Sequence, residues 1–310
     1  MSLSWKKKLM LAVIEGTYGQ GGNPTAGANA IMGIDMSISP MEGSDVARNI
    51  ERPFMGAQAT LPVGLHSKLT FKTEFAGSGA AGVAPAWGVL ARAAGLAETI
   101  VADTSVTYNP VTDGHESLIF HFTIASTRYV LKGARGSSKI VIMSSGIPMI
   151  EWTFTGLFEV PTENAPASPD YTKWIAPIVA SNANTPVHTL GGVAFTMKSF
   201  SLDMGQQVKP RFLMGTEEVR ITDRAEVVEM QTDALPVTTF NPYQIALDAS
   251  TTPLVITHGT DAGNIITVNT PSLQLQRPAA PQDDEGIVSW TLRGVPLPGT
   301  GNDQFTLVLT

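Results

Sequence analysis

Met149–Pro161 reads MIEWTFTGLFEVP, and Ile287–Pro298 reads IVSWTLRGVPLP. Both hold Trp-Thr-apolar-x-Gly with a proline soon after: Trp152 to Gly156, and Trp290 to Gly294. The chain has five tryptophans, so two of them opening one pattern raises the question of an internal repeat. A second pair of stretches points the same way. ERPFMGAQATLPV (51–63) and VKPRFLMGTEEVRI (208–221) each place arginine and proline ahead of a Met-Gly, Met55-Gly56 and Met214-Gly215, and then a strand-like run. In both halves a helix candidate separates Met-Gly from the tryptophan motif. The common order implies a β domain present twice. In that reading Trp152, Gly156, Trp290, Gly294, Met55, Gly56, Met214 and Gly215 are repeat residues of the domain core. Each Trp would pack the sandwich, and each Gly would allow a bend or a close backbone approach.

Period-two alternation supports the β assignment. In SKLTFKTEF, Leu69, Phe71, Thr73 and Phe75 share one face, while Lys68, Thr70, Lys72 and Glu74 share the other. That is the signature of a half-buried antiparallel strand. Similar runs recur along both halves. Two short helices interrupt them. Pro85 stands near the start of the first, and Trp87, Leu90, Ala91 and Ala94 follow at helical spacing, with Gly95 as a stop. Trp87, Leu90 and Ala94 are expected to pack on a sheet. The second, NPYQIALDA, has Asn241 as N-cap and Pro242 at the first position.

The expected fold is therefore mainly β: two tandem β-sandwich or barrel domains, each with a short flanking α-helix. Residues 1–30, Gly-rich and weakly patterned, read as an N-terminal arm ordered by a partner surface. Domain 1 is expected over 31–160 and domain 2 over 187–310. Between them, residues 161–186 carry five prolines and read as an extended connection.

Composition narrows function. A net charge of −7 argues against general nucleic-acid affinity, which needs a basic footprint. There is no cysteine, which removes disulfides, thiolate catalysis and Cys-ligated zinc. Lys6–Lys8 and the short apolar run after them resemble a signal peptide, but the run meets Glu15 before any small-residue cleavage site. No segment has the roughly 20 apolar residues that span a bilayer. The chain is expected to be soluble, made in a reducing compartment and free of membrane insertion.

Three stretches imitate catalytic motifs. Gly77–Gly82 is a literal G-x-G-x-x-G, yet the strand before it alternates with Lys and Glu, and no βαβ unit follows. It reads as a flexible loop. Asp113, His115 and Glu116 are explained by a polar turn, and Asp283, Asp284 and Glu285 by a solvated turn before a strand. No catalytic, cofactor or metal site is expected.

The run LAVIEGTYG…ANAIMGIDMSISPMEGSDVARNIERPFMGAQATLPVGLHSKLTFKTEFAGSG…APAWGVLARAAGL resembles the major tail tube proteins of long-tailed bacteriophages, as does LGGVAFTMKSFSLDMGQQVKPRFLMGTEEVRITDR in the second half. Together they cover about two-thirds of the chain. The simplest members have one such domain, and six copies close a ring. The resemblance implies that this chain forms a homotrimer with pseudo-sixfold symmetry, a ring that stacks into a virion tail tube. It further implies assembly in the bacterial host cytoplasm, contacts with tape measure, tail terminator and distal tail proteins, and phage DNA passing through the lumen without specific binding. The loop PMEGSDVARNIERPF, with Glu42, Asp45, Arg48, Glu51 and Arg52, is expected to join the arm in ring stacking. The alternative is another β-rich virion or surface protein for adhesion or carbohydrate binding.

Overall fold

Apolar side chains at every second position in segment after segment allow only one economical arrangement, antiparallel strands sharing a buried face. The computed structural model describes residues 3–165 and 167–310. The first half contains β1 (Lys8–Ile14), β2 (Ala30–Ile31), β3 (Ile34–Ala47), β4 (Thr60–Glu74), α1 (Gly88–Ala93), β5 (Leu96–Val101), β6 (Ser105–Pro110), β7 (Leu118–Ile124), β8 (Thr127–Met143), β9 (Met149–Phe158) and β10 (Thr162–Glu163). The second contains β11 (Val187–Leu190), β12 (Val193–Ala194), β13 (Met197–Asp203), β14 (Gln206–Leu213), β15 (Thr216–Arg224), β16 (Val227–Asp233), α2 (Pro242–Leu247), β17 (Thr251–His258), β18 (Ile266–Leu275), β19 (Gln282–Asp284), β20 (Ile287–Pro296) and β21 (Thr306–Leu309). The chain is mainly β with two short helices, and its sheets do not close into a barrel.

Strand connectivity repeats. In the first half the spatial order is β1-β7-β8-β9-β4-β3, with every neighbour antiparallel. In the second it is β11-β17-β18-β20-β16-β13, again antiparallel throughout. The registers match too: Trp152 faces Phe71 and Gly156 faces Ser67, while Trp290 faces Thr232 and Gly294 faces Val228. The hairpin β5–β6, inserted after α1, has no counterpart after α2 and accounts for most of the longer Met-Gly to Trp spacing in the first half.

The halves are also joined. Ser199–Asp203 of β13 pairs with Lys139–Met143 of β8, and β21 pairs with β6. One hydrophobic cluster runs through both, from Met10, Phe71, Phe120 and Trp152 to Phe200, Leu254, Trp290 and Leu307. Gly77–Gly82 sits at this junction. The Gly77 amide donates to Asn264 Oδ1 (2.8 Å) and the Gly79 amide to the Gly263 carbonyl (3.0 Å). A Cβ on Gly77 would stand 2.1 Å from that carbonyl oxygen. The expected flexible loop is a tight loop-to-loop contact, and its glycines let two backbones touch.

The N-terminal segment departs from expectation. Lys8–Ile14 is not an arm awaiting a partner; it is β1, paired along its length with β7, with Met10, Leu11 and Ala12 buried. Its short apolar run is a strand that the chain's own sheet covers. The turn after it is tied down by Glu15, whose carboxylate accepts from Gly19 N, Gly21 N, Gly133 N and Ser117 Oγ at 2.6–3.2 Å. Among its described residues, the expected connection, 161–186, forms the short β10 and otherwise lacks regular structure. It is pinned where Trp174 Nε1 donates to Ala30 O (3.0 Å) and where Ala180 exchanges backbone bonds with Ser145 and Gly146.

Candidate assembly surface

Each half projects one hairpin beyond its sheet: β3–β4 in the first and β14–β15 in the second. Both carry Met-Gly at or near the tip. Met55 is 102% exposed and Met214 106% exposed, and Gly215 turns with φ 92°. Met55, Gly56, Met214 and Gly215 therefore lie at hairpin ends and outside the core. A Met-Gly between two strands fits a turn as readily as a packed strand end, because Gly supplies the left-handed turn residue. The tryptophan motif behaves differently. Trp152 and Trp290 are buried, and Trp152 Nε1 donates to Thr73 Oγ1 (2.9 Å). A Cβ on Gly156 would come within 2.8 Å of Leu131 Cβ, and one on Gly294 within 2.8 Å of the Leu273 side chain. Trp87, Leu90 and Ala94 are buried as well. Trp87 ends the turn that opens at Pro85, one residue ahead of α1, and donates from Nε1 to Ala76 O (2.8 Å).

The polar segment 40–54 is not all loop. Glu42 and Asp45 belong to β3, and only Arg48, Glu51 and Arg52 lie in the tip connection. Antiparallel pairing with β4 carries the strand past the sheet despite its polar sequence. Glu42 meets His66 across the hairpin at 3.5 Å, and Gln58 zips the tip by two hydrogen bonds to the Ile50 backbone. Arg52 lies over the Phe54 ring. The five residues share one projecting element without converging on a pocket.

The two hairpins differ in what covers them. β14–β15 lies across the first half. Val219 is fully buried there: its amide donates to Tyr18 Oη (2.5 Å), and its carbonyl accepts from Arg135 Nη1 (2.8 Å), with the guanidinium over the Tyr18 ring. Gln206 Nε2 donates to Ala94 O at the end of α1 (2.7 Å), and Arg224 Nη1 to Val111 O (2.7 Å). The apolar face of this hairpin includes Val208 and Ile221, which are directly paired. The same position in β3–β4 holds Val46 paired with Leu61, and these are 52% and 56% exposed. Met41, Phe54 and Val63 are exposed on the same hairpin.

Of the strands that pair on one side only, two match each other. Among the described residues β3 pairs only with β4, and β19 only with β20. Their positions correspond to the strands that meet inside the chain. Lys139 and Gln282 each face the residue before the tryptophan, Glu151 and Ser289. Ser39 faces Lys68 as Ser201 faces Glu229. So β19 repeats the end of β8, and β3 repeats β13. Pro40 does not spoil the β3 edge. It sits in the bulge between Ser39 and Glu42, with its carbonyl accepting from Ser67 Oγ (2.6 Å) on the β4 side, so its missing N–H falls where the ladder is already interrupted.

The other sequence candidates do not converge. Glu116 is taken up by a bidentate pair with Arg92 (both 2.6 Å), and His115 bonds Val111 O, which leaves Asp113 alone on the surface. Asp284 pairs with Lys198, and Asp283 closes the turn by accepting from Gly286 N. Among the described residues no group of His, Asp and Glu could hold a metal ion. Among the described residues no helix is long and apolar enough to cross a membrane. A cavity of about 740 Å³ between the N-terminal segment and Asn164, Ala165, Ala167 and Pro169 is lined by Lys7, Lys8, His121 and Arg128, with no carboxylate among its described walls. His121 is pushed down to about 4, chiefly by burial and then by Arg128, so its imidazole is neutral. Compared with known proteins, the chain matches no family model and no curated sequence.

Proposed function

We propose that this chain is a structural subunit that assembles with copies of itself into three-chain rings of pseudo-sixfold symmetry, which stack into a tube of the phage-tail kind. The observation that carries the reading is the pair of matching open edges. Inside the chain β13 closes on β8; the same elements in the other half, β3 and β19, are left with free backbone groups. Joining β3 of one copy to β19 of the next repeats the internal junction. In that register Ser39 stands opposite Asp284, by analogy with Ser201–Val141. A heterologous contact of this kind closes when its rotation divides the circle, and closure removes exposed strand edges.

Three chains, each supplying two similar halves, then give a ring of six. Rings stacked head to tail form a tube, and a net charge of −7 suits a lumen that passes DNA without holding it. Virion localisation and contacts with tape measure, terminator and distal tail proteins belong to the same proposal. Electron microscopy of the concentrated protein tests it. Rings or tubes with three chains per ring are expected; six chains per ring, or a monodisperse monomer at every concentration, would refute it.

A further inference from the structure

We infer that the exposed hairpin β3–β4 seats across the second half of a neighbouring copy, at the end of α2, as β14–β15 seats across the first half of its own chain. The inference rests on the ring reading and adds a second contact to the edge junction. The template is internal. Ile221 of the seated hairpin reaches Gly95, the residue of positive φ that follows α1: a Cβ on Gly95 would stand 3.2 Å from Ile221 Cδ1. The positional match to Ile221 is Leu61, since each is the cross-strand partner of a valine, Val208 or Val46, set three residues after a glycine, Gly205 or Gly43. The match to Gly95 is Ala249, which follows α2 with φ 50°.

Both sides of the inferred contact are uncovered in the single chain. Val46 and Leu61 are more than half exposed, and at the end of α2 Leu247 is 79% exposed. An apolar face of this size on a projecting hairpin marks an interaction surface. The occupant is a second copy of this chain, because the first half already shows what this hairpin type packs on. Hairpin and edge also agree in direction. The half that supplies β13 to β8 also supplies β14–β15, so the copy that supplies β3 to β19 brings β3–β4 to the same neighbour.

The absence of cysteine makes the test direct. Leu61→Cys and Ala249→Cys are introduced singly and together, and assembled protein is treated with a short bismaleimide. The double variant is expected to give covalent dimers and trimers that end at three chains, whereas either single variant cannot pass a dimer. In parallel, Val46→Lys with Leu61→Glu is expected to leave the monomer's melting nearly unchanged, since both side chains are more than half exposed and the opposite charges face each other across the hairpin, and to weaken ring formation at least about tenfold. Three-chain rings that form without the cross-link, and that survive the paired Val46→Lys and Leu61→Glu change, would overturn the hairpin inference and leave the ring reading standing. A monomer at every concentration would overturn both.

Discussion

Gly156→Ala and Gly294→Ala change the same motif position in the two halves, and the structure sets different costs for them. At 156 the added methyl would lie 2.8 Å from Leu131 Cβ, 3.1 Å from Lys132 O and 3.2 Å from Ala134 Cβ. None of those atoms can move without shifting β8. At 294 the nearest atoms, at 2.8 Å, belong to the end of the Leu273 side chain, which can rotate, although Gln274 O lies at 3.1 Å. Overpacking costs about 1–3 kcal/mol, and replacing Gly by Ala returns about 0.4–1 kcal/mol through the unfolded chain. With the upper half of the overpacking range assigned to 156 and the lower half to 294, Gly156→Ala should lose about 1–2.6 kcal/mol and Gly294→Ala about 0–1.6 kcal/mol. Urea unfolding of dilute protein, compared by midpoint at constant slope, measures the difference. Equal losses, or a larger loss at 294, would refute the claim that fixed atoms of β8 set the cost at 156.

Tyr18→Phe removes the acceptor for the buried Val219 amide and should cost about 1–3 kcal/mol, with amide exchange at Val219 accelerated well beyond that of the β9 core. Glu15→Ala deletes an acceptor serving four donors; limited proteolysis is expected to cleave the variant between Gly16 and Ala30 faster than the parent. His121 is held neutral by burial, with Arg128 and Lys132 opposing its charge and Glu159 favouring it. Its folded pKa is depressed, so it contributes stability above about 6.5 that is lost as pH falls towards about 4. Replacing it with Gln should flatten that part of a melting-temperature profile. Asn241→Ala removes the side-chain acceptor for Gln244 N at the start of α2 and should cost about 1 kcal/mol by thermal melting.

The alternation of 67–75 shows in the sequence because one face of β4 is buried and the other is not. The tryptophan motif shows because large side chains and close-approach glycines leave few substitutes. Less was legible where the deciding partner lies far away. Lys8–Ile14 looks like a free apolar run, since only β7, more than a hundred residues on, makes it a strand. Leu96–Val101 carries weak alternation, and Ser105–Pro110 alternates over only six residues, too short a run to mark a hairpin without its partner strand. Glu217–Thr232 reads as one strand, yet it divides into β15 and β16 at Ala225 and Glu226, where Gly205 meets the Ala225 backbone. Met-Gly has the same appearance in a turn as in a core, and burial alone separates the two. The candidate surface is legible only in part: the polar stretch 40–54 stands out along the chain, but its strand pairing and its exposed apolar face depend on β4.

The pairing of β6 with β21 has a further consequence for the order of events during synthesis. Leu307 meets Tyr108 almost two hundred residues after Tyr108 has been made. Until then the outer edge of β6 has no strand beside it, so a nascent first half waits with a sticky flank while the ribosome completes the second. Contacts of such long range are slow to form, and unpaired edges invite pairing with other chains. Shortening that wait, by faster elongation or by a chaperone held at β6, should raise the yield of correctly folded chain more than any change to the buried core.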